Sequence, residues 1–104
     1  MGAAPVFAAL GDETRLRLVT RLCTEGPLSI VHLSAGVPVT RQAVTKHVHA
    51  LAAAGLVRSR RRGRQRQRFW ELEPRRLQEA SRYLDRISQQ WDGALGRLKA
   101  FVEE

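Results

Sequence analysis

Apolar residues recur at helical spacing along the first half of the chain. The stripe over residues 6–10 predicts a first short helix, which Gly11 ends. A second helix is expected over about 13–24, because Asp12 is a favourable N-cap and "EGP" follows the apolar pattern. Its inward face is predicted to consist of four residues: Leu16, Val19, Leu22 and Cys23.

A helix-turn-helix is predicted in the next part of the chain. Ser29 is expected to start a third helix, which ends before Pro38. Thr40 is a good cap for a fourth helix over about 40–54, and Gly55 ends that helix. Two helices joined by so short a turn are typical of a helix-turn-helix.

The fourth helix has one apolar face and one polar face. At 100° per residue, Val44, Val48 and Leu51 lie together and are predicted to pack inward, with His47 beside them as a packing residue rather than a ligand. The opposite face contains hydrogen-bond donors and no acid, which suits base edges and phosphates. The alternative is an ordinary solvated face. The predicted DNA contacts on this helix are Thr40, Arg41, Gln42, Thr45, Lys46 and His49.

The helical period ends after Gly55, where the stretch "VRSRRRGRQRQRFW" contains seven arginines. Apolar residues at both of its ends, around a turn centred on Gly63, predict two strands joined in a hairpin over about 56–72. A disordered basic tail does not explain those flanking apolar residues, which favour burial. A helix-turn-helix followed by a basic hairpin is typical of a winged helix. The wing residues predicted to contact DNA are Arg61, Arg62, Arg64 and Arg66.

A long final helix is predicted from Pro74 to about residue 102. Its apolar residues alternate in steps of three and four, as in a heptad stripe: Leu77, Ala80, Leu84, Ile87, Trp91, Ala94, Leu98 and Phe101. Such a helix is about 43 Å long, more than a small domain covers, so we expect it to pack against a second copy. The alternative is an ordinary helix on its own core. The predicted dimer interface consists of Phe7, Leu77, Leu84, Ile87, Trp91 and Leu98.

The 104 residues are enough for one domain, with a net charge of +8. Residues 40–70 contain nine basic residues and no acid, whereas the rest of the chain contains nine basic residues and ten acids. An excess concentrated in this way indicates a polyanionic partner, nucleic acid first. A solvated surface and a patch for a membrane surface are the alternatives.

No feature of the sequence indicates export, a membrane span or a cofactor. The first residues lack the basic and apolar regions of a signal peptide, and no apolar run approaches about 20 residues. A single cysteine, Cys23, cannot form an internal disulfide and is interpreted as a small core residue. We therefore expect a cytoplasmic protein without a cofactor.

The order of these motifs is similar to that of a known family. "FAALGDETRLRLVTRL", "SIVHLSAGVPVTRQAVTKHVHALAAAGLV" and "RRRGRQRQRFWEL", within residues 7–72, resemble the ArsR family of bacterial winged-helix repressors. The resemblance implies a mainly α fold with a small β-hairpin, and a homodimer that binds an inverted-repeat operator. It also implies a dimer interface formed by the first and last helices.

The sequence departs from the metal-sensing members of that family. Those members carry a cysteine pair on the third helix, or Asp and His ligands on the last helix. Here the third helix has His32 and no cysteine, and the last helix has no histidine. The chain is therefore predicted to have no metal site, and its sequence does not identify an inducer.

Two other classes of function compete with a DNA-binding repressor. A winged helix can also bind RNA or a protein partner, but the outward face of the fourth helix lacks the exposed aromatic residues on which RNA readers stack bases. An enzyme is not expected, because the sequence shows no nucleophile and base pair, carboxylate pair or phosphate-binding loop.

Overall fold

A computed structural model describes residues 2–61 and 67–103 as five helices and one antiparallel hairpin. In chain order these are α1 (Ala4–Leu10), α2 (Glu13–Glu25), α3 (Ile30–Ser34), α4 (Arg41–Ala53), β1 (Val57–Arg61), β2 (Arg68–Leu72) and α5 (Pro74–Glu103). The predicted order and type of the elements are confirmed. The turn predicted around Gly63 lies outside the described residues.

Side-chain caps begin the three helices of the helix-turn-helix region. Asp12 accepts a hydrogen bond from the Arg15 backbone N–H at 2.9 Å, and the Ser29 hydroxyl accepts one from the backbone N–H of His32 at 3.3 Å. Thr40 caps α4 through the backbone N–H of Ala43 at 3.1 Å. Each cap satisfies a backbone donor that has no partner inside its helix, which is why these helices begin where the sequence predicts.

Gly55 turns the chain from α4 into the hairpin. Its backbone N–H donates to Ala52 at 2.9 Å, and the N–H of Leu56 donates to Leu51 at 3.0 Å, which is the Schellman pattern of a helix end. The φ angle of Gly55 is 79°, a conformation that favours glycine. The helix end thereby fixes where β1 begins relative to α4.

The hydrophobic core surrounds α4. Its predicted inward residues, Val44, Val48 and Leu51, are fully buried. They pack with residues from every other helix and from the hairpin: Val6, Leu18, Leu22, Leu33, Leu56, Trp70 and Ala80. The core therefore packs against the inner face of α4, and the outer face of this helix is left exposed to solvent.

The predicted inward face of α2 was partly wrong. Leu18, Val19 and Leu22 are the buried residues of this helix, whereas Leu16 and Cys23 are exposed. At 100° per residue, the last two lie at the rim of an arc centred between Leu18 and Val19, so they point past the core. The interpretation of Cys23 as a core residue is thus corrected.

Only the first turns of α5 pack against the body of the protein. Ala80 is buried, and the guanidinium-bearing residue Arg76 is only 9% exposed. Arg76 donates to the carbonyl oxygens of Ala54, at 3.2 Å, and Gly2, at 3.3 Å, and pairs with Glu79 at 2.6 Å. This side chain joins the start of α5 to the end of α4 and to the beginning of the chain.

The rest of α5 projects from the domain, which is 69 Å in its longest dimension. From residue 81 to residue 103 every position is exposed except the half-buried Ile87. Among the described residues, no helix is long and apolar enough to span a membrane.

Candidate nucleic-acid interface

The outer face of α4 presents polar side chains to solvent. Arg41, Gln42, Lys46 and His49 are exposed, and α4 contains no acidic residue. The hydroxyl of Thr45 donates to the carbonyl oxygen of Arg41 at 2.9 Å. The hydroxyl of Thr40 accepts from the backbone N–H of Ala43 in the first turn of α4. The predicted residues therefore lie on one face, where the two threonines also have intrahelical partners.

His47 ties the inner edge of α4 to α2. Its Nδ1 lies 3.3 Å from Nη1 of Arg15 and 3.9 Å from Oδ1 of Asp12. The Arg15 guanidinium also donates through Nε to the carbonyl oxygen of Ala9, at 2.6 Å, at the end of α1. The backbone N–H of Arg15, followed by the charges of Arg15 and His47, lowers the pKa of Asp12. His47 is half-buried in this cluster, which agrees with a packing role.

Arg21 of α2 connects this helix to α3, the first helix of the helix-turn-helix, and to the turn that follows α3. Its guanidinium donates to the carbonyl oxygens of His32, at 3.0 Å, and Leu33, at 2.9 Å, and to the Glu25 carboxylate at 2.9 Å. A Cβ atom at Gly36 would lie only 2.7 Å from the Arg21 Nη1 atom, so a larger residue there would displace the end of the Arg21 side chain. Sequence reasoning missed this contact, although the i, i+4 pair of Arg21 and Glu25 was visible.

Trp70 anchors the hairpin to the helix-turn-helix. It is buried, and its backbone exchanges two hydrogen bonds with Leu28, at 2.8 and 3.0 Å. The His49 ring meets the indole nearly at right angles, with the ring centroids 5.5 Å apart. His49 thus lies on the polar outer face of α4, at its boundary with the hairpin, and contacts the hairpin through Trp70.

The hairpin has two faces of different charge. On one face, Glu71 pairs with Arg58 at 2.8 Å and with Arg60 at 3.6 Å, and Glu73 pairs with Arg58 at 2.8 Å. These carboxylates raise the pKa of Arg58 above its ordinary value. A charge count along the sequence treats all seven arginines alike and misses this neutralisation, because both acids follow the acid-free segment.

The other face of the hairpin carries Arg61 and Arg68, which are exposed. Within residues 2–61 and 67–103, neither makes an ion pair. Arg68 was not among the predicted DNA contacts. The predicted contacts Arg62, Arg64 and Arg66 lie outside the described residues.

The residues predicted to form a dimer interface follow one side of α5 and the adjoining α1. Phe7 is half-buried, and its ring centroid lies 5.8 Å from that of Tyr83. Leu77 packs partly against the core of its own protomer. Leu84 and Leu98 are exposed, and Trp91 is 63% exposed.

Four side chains could ligate a soft or borderline metal: Cys23, His32, His47 and His49. Cys23 is exposed on α2, and His32 Nδ1 is 2.8 Å from the Ser29 hydroxyl. In the part of the chain that the structure describes, no three His, Cys, Asp or Glu side chains converge as a metal site would require. The expectation of a chain without a metal site remains a prediction.

Comparison with known proteins identifies the family. A family model described as a helix-turn-helix domain matches residues 10–60. The chain is 36% identical to the HTH-type transcriptional regulator YuzN of Bacillus subtilis, covering 66% of this chain and 82% of that protein. It is 39% identical to an HTH-type transcriptional regulator of Mycobacterium tuberculosis, covering 86% of this chain and 78% of that protein.

A solved structure gives the same result. An ArsR-like transcriptional regulator from Rhodococcus sp. RHA1 superposes with a TM-score of 0.80 at 39% identity, covering 95% of this chain and 91% of that one. The chain belongs to the ArsR family of winged helix-turn-helix transcriptional regulators.

Proposed function

We propose that the protein is a homodimeric repressor that binds double-stranded DNA in a sequence-specific manner. The observation that carries this proposal is the exposed, acid-free face of α4 held beside a basic hairpin. Within one domain, we assign DNA recognition to residues of about 40–54, the wing to about 56–72 and dimerisation to about 74–102. Family membership favours a regulator over an enzyme.

In this proposal α4 enters the major groove. Gln42 can pair bidentately with adenine, and Lys46 or Arg41 can reach guanine or phosphate. Thr45 and His49 lie on the same face, and Thr40 stands at the helix start, where backbone N–H groups favour an anion. The core behind Val44 and Val48 supports this assignment, because it leaves α4 no other face to present.

The wing supplies charge rather than sequence reading. Arg61 projects from the end of β1, and the arginines at 62, 64 and 66 follow it in the chain. Arginine suits phosphate oxygens and narrow minor grooves. The Trp70 anchor supports this role, because it holds the wing at a fixed position relative to α4.

A second copy is proposed to cover α5. Its exposed stripe contains Leu84, Trp91 at 63%, Leu98 at 59% and Phe101 at 76% exposure, a run of large apolar side chains that is unusual on the surface of a monomer. Pairing α5 and α1 with their counterparts would bury this stripe about a twofold axis. The same axis would present two α4 helices to DNA, so we expect an inverted-repeat operator with half-site centres about 10 bp apart, or a multiple of that.

Selection from random duplex DNA with the purified full chain tests the proposal. The expected result is an inverted-repeat site, bound by one dimer in sedimentation analysis. A single-stranded RNA library serves as the competing arm. Equal enrichment from both libraries, or a stable monomer at micromolar concentration, would contradict the proposed function. Because its target is chromosomal DNA, we place the protein in the cytoplasm.

A further inference from the structure

Two arginines lie directly opposite each other on the wing. In the register of the hairpin, Arg61 of β1 pairs with Arg68 of β2. Residues in such a pair point to the same face of the sheet, with Cβ atoms about 4.5–5.5 Å apart. Like charges placed in this way destabilise a hairpin.

Within the described strands, 57–61 and 68–72, this arrangement occurs on one face. On the opposite face, Arg58 pairs across the strands with Glu71, and their side chains form an ion pair at 2.8 Å. Glu71 and Glu73 lie on the face of Arg58, so the strand alternation turns them away from the Arg61 and Arg68 pair. One face is therefore internally neutralised, whereas the other holds two positive charges together.

The positively charged face is the one turned toward α4. Because side chains alternate along a strand, Arg61 and Arg68 share their face with Trp70. Trp70 in turn contacts His49 of α4. The arginine pair thus lies on the same side of the hairpin as the reading helix.

We infer that Arg61 and Arg68 jointly hold one phosphate of the DNA backbone beside the groove that α4 enters. This inference rests on the proposed function and adds Arg68 to the residues that touch DNA. Two arginines whose Cβ atoms lie about 4.5–5.5 Å apart on one face can bring both guanidinium groups to a single phosphate. The phosphate removes the repulsion that the free protein tolerates.

Loss of either arginine should change the melting temperature of the free protein and the affinity for duplex DNA in opposite directions. In the free protein, Arg61→Gln or Arg68→Gln removes the repulsion, so the melting temperature should rise by about 1–5 °C at low salt. On duplex DNA the same variants should bind more weakly. The slope of log affinity against log salt falls by about 0.9 for each phosphate that the protein no longer neutralises.

The decisive variant carries both substitutions, Arg61→Gln with Arg68→Gln. A shared phosphate predicts that the slope decreases by about 0.9 in total, whereas two separate phosphates predict a decrease of about 1.8. Arg58→Gln is the matched control from the opposite face. It should lower the melting temperature, since it breaks the pairs with Glu71 and Glu73, and leave the slope unchanged.

The other possible results distinguish failure of the shared phosphate from failure of the proposed DNA-binding function. A decrease in slope near 1.8, or an unchanged slope in the double variant, overturns the shared phosphate while duplex binding by the parent protein stands. A lysine at both positions should restore the slope, because the charge is kept. If the parent protein binds no duplex DNA at all, the proposed function fails, and the shared phosphate fails with it.

Discussion

Trp70 joins the wing to the rest of the domain. Its buried indole contacts His49, and its backbone is bonded to Leu28 ahead of α3. Replacing a buried tryptophan by alanine typically costs about 3–5 kcal/mol. Domains of this kind have about 5–15 kcal/mol of stability in total, so Trp70→Ala should leave a folded but weakened protein at best. Urea denaturation followed by circular dichroism measures the decrease.

The neighbouring residue on the same strand provides the control. Phe69 points to the opposite face of the hairpin and is only half-buried, so Phe69→Ala should cost distinctly less than Trp70→Ala. A Trp70→Phe variant should recover part of the stability, because an aromatic ring again meets His49, an interaction of about 0.5–1.5 kcal/mol. Equal destabilisation by the two alanine variants would refute the anchoring role of Trp70.

Other parts of the molecule give four further predictions. Trp91→Ala should leave the protomer folded but shift it toward monomer in sedimentation, because Trp91 is exposed within one protomer; unchanged association would contradict the proposed α5 interface. Gln42→Ala should lower discrimination between operator and random duplex by about 1–3 kcal/mol in competition titrations; equal weakening on both would show that it touches phosphate instead. The backbone N–H of Arg15 lowers the pKa of Asp12, so the stability from this cap is complete above the ordinary Asp pKa of about 4 and is lost as the pH falls through the lowered value. Thermal melts at decreasing pH should show a smaller acid-side decrease for Asp12→Asn, and an identical profile would disprove the linkage. Zinc, cadmium or arsenite at one equivalent should not release the operator in anisotropy titrations, whereas release that Cys23→Ser abolishes would reveal a metal site.

The elements of this fold could be predicted well from the sequence because their signals are local. The caps at Asp12 and Thr40 and the positive-φ glycine at Gly55 act on residues within one turn of themselves. The inward residues of α4 follow from helical period alone. Such features require no knowledge of what lies elsewhere in the chain, so their positions agree with the structure to within a residue or two.

The contacts that join the elements could not be predicted in the same way. Arg15 and Arg21 donate to backbone carbonyl oxygens of other helices, and Arg76 donates to that of Ala54, directly after α4. Nothing in the sequence distinguishes these arginines from those that face solvent, since the acceptors are main-chain atoms that every residue has. The misplaced face of α2 has a related cause, because Leu16 and Leu18 both fit an apolar stripe until the partner helices are known.

The wing shows why a charge count along the sequence differs from a charge distribution in space. Counting residues 40–70 gives an acid-free segment, yet cross-strand pairing brings Glu71 and Glu73 onto Arg58. An arginine already paired with a carboxylate neutralises a DNA phosphate less effectively, so fewer counterions leave the DNA when it binds. Of the wing arginines that the structure describes, Arg61 and Arg68 should therefore dominate the salt dependence of DNA binding. The face on which an arginine lies, fixed by the two-residue period of its strand, matters more here than the number of arginines.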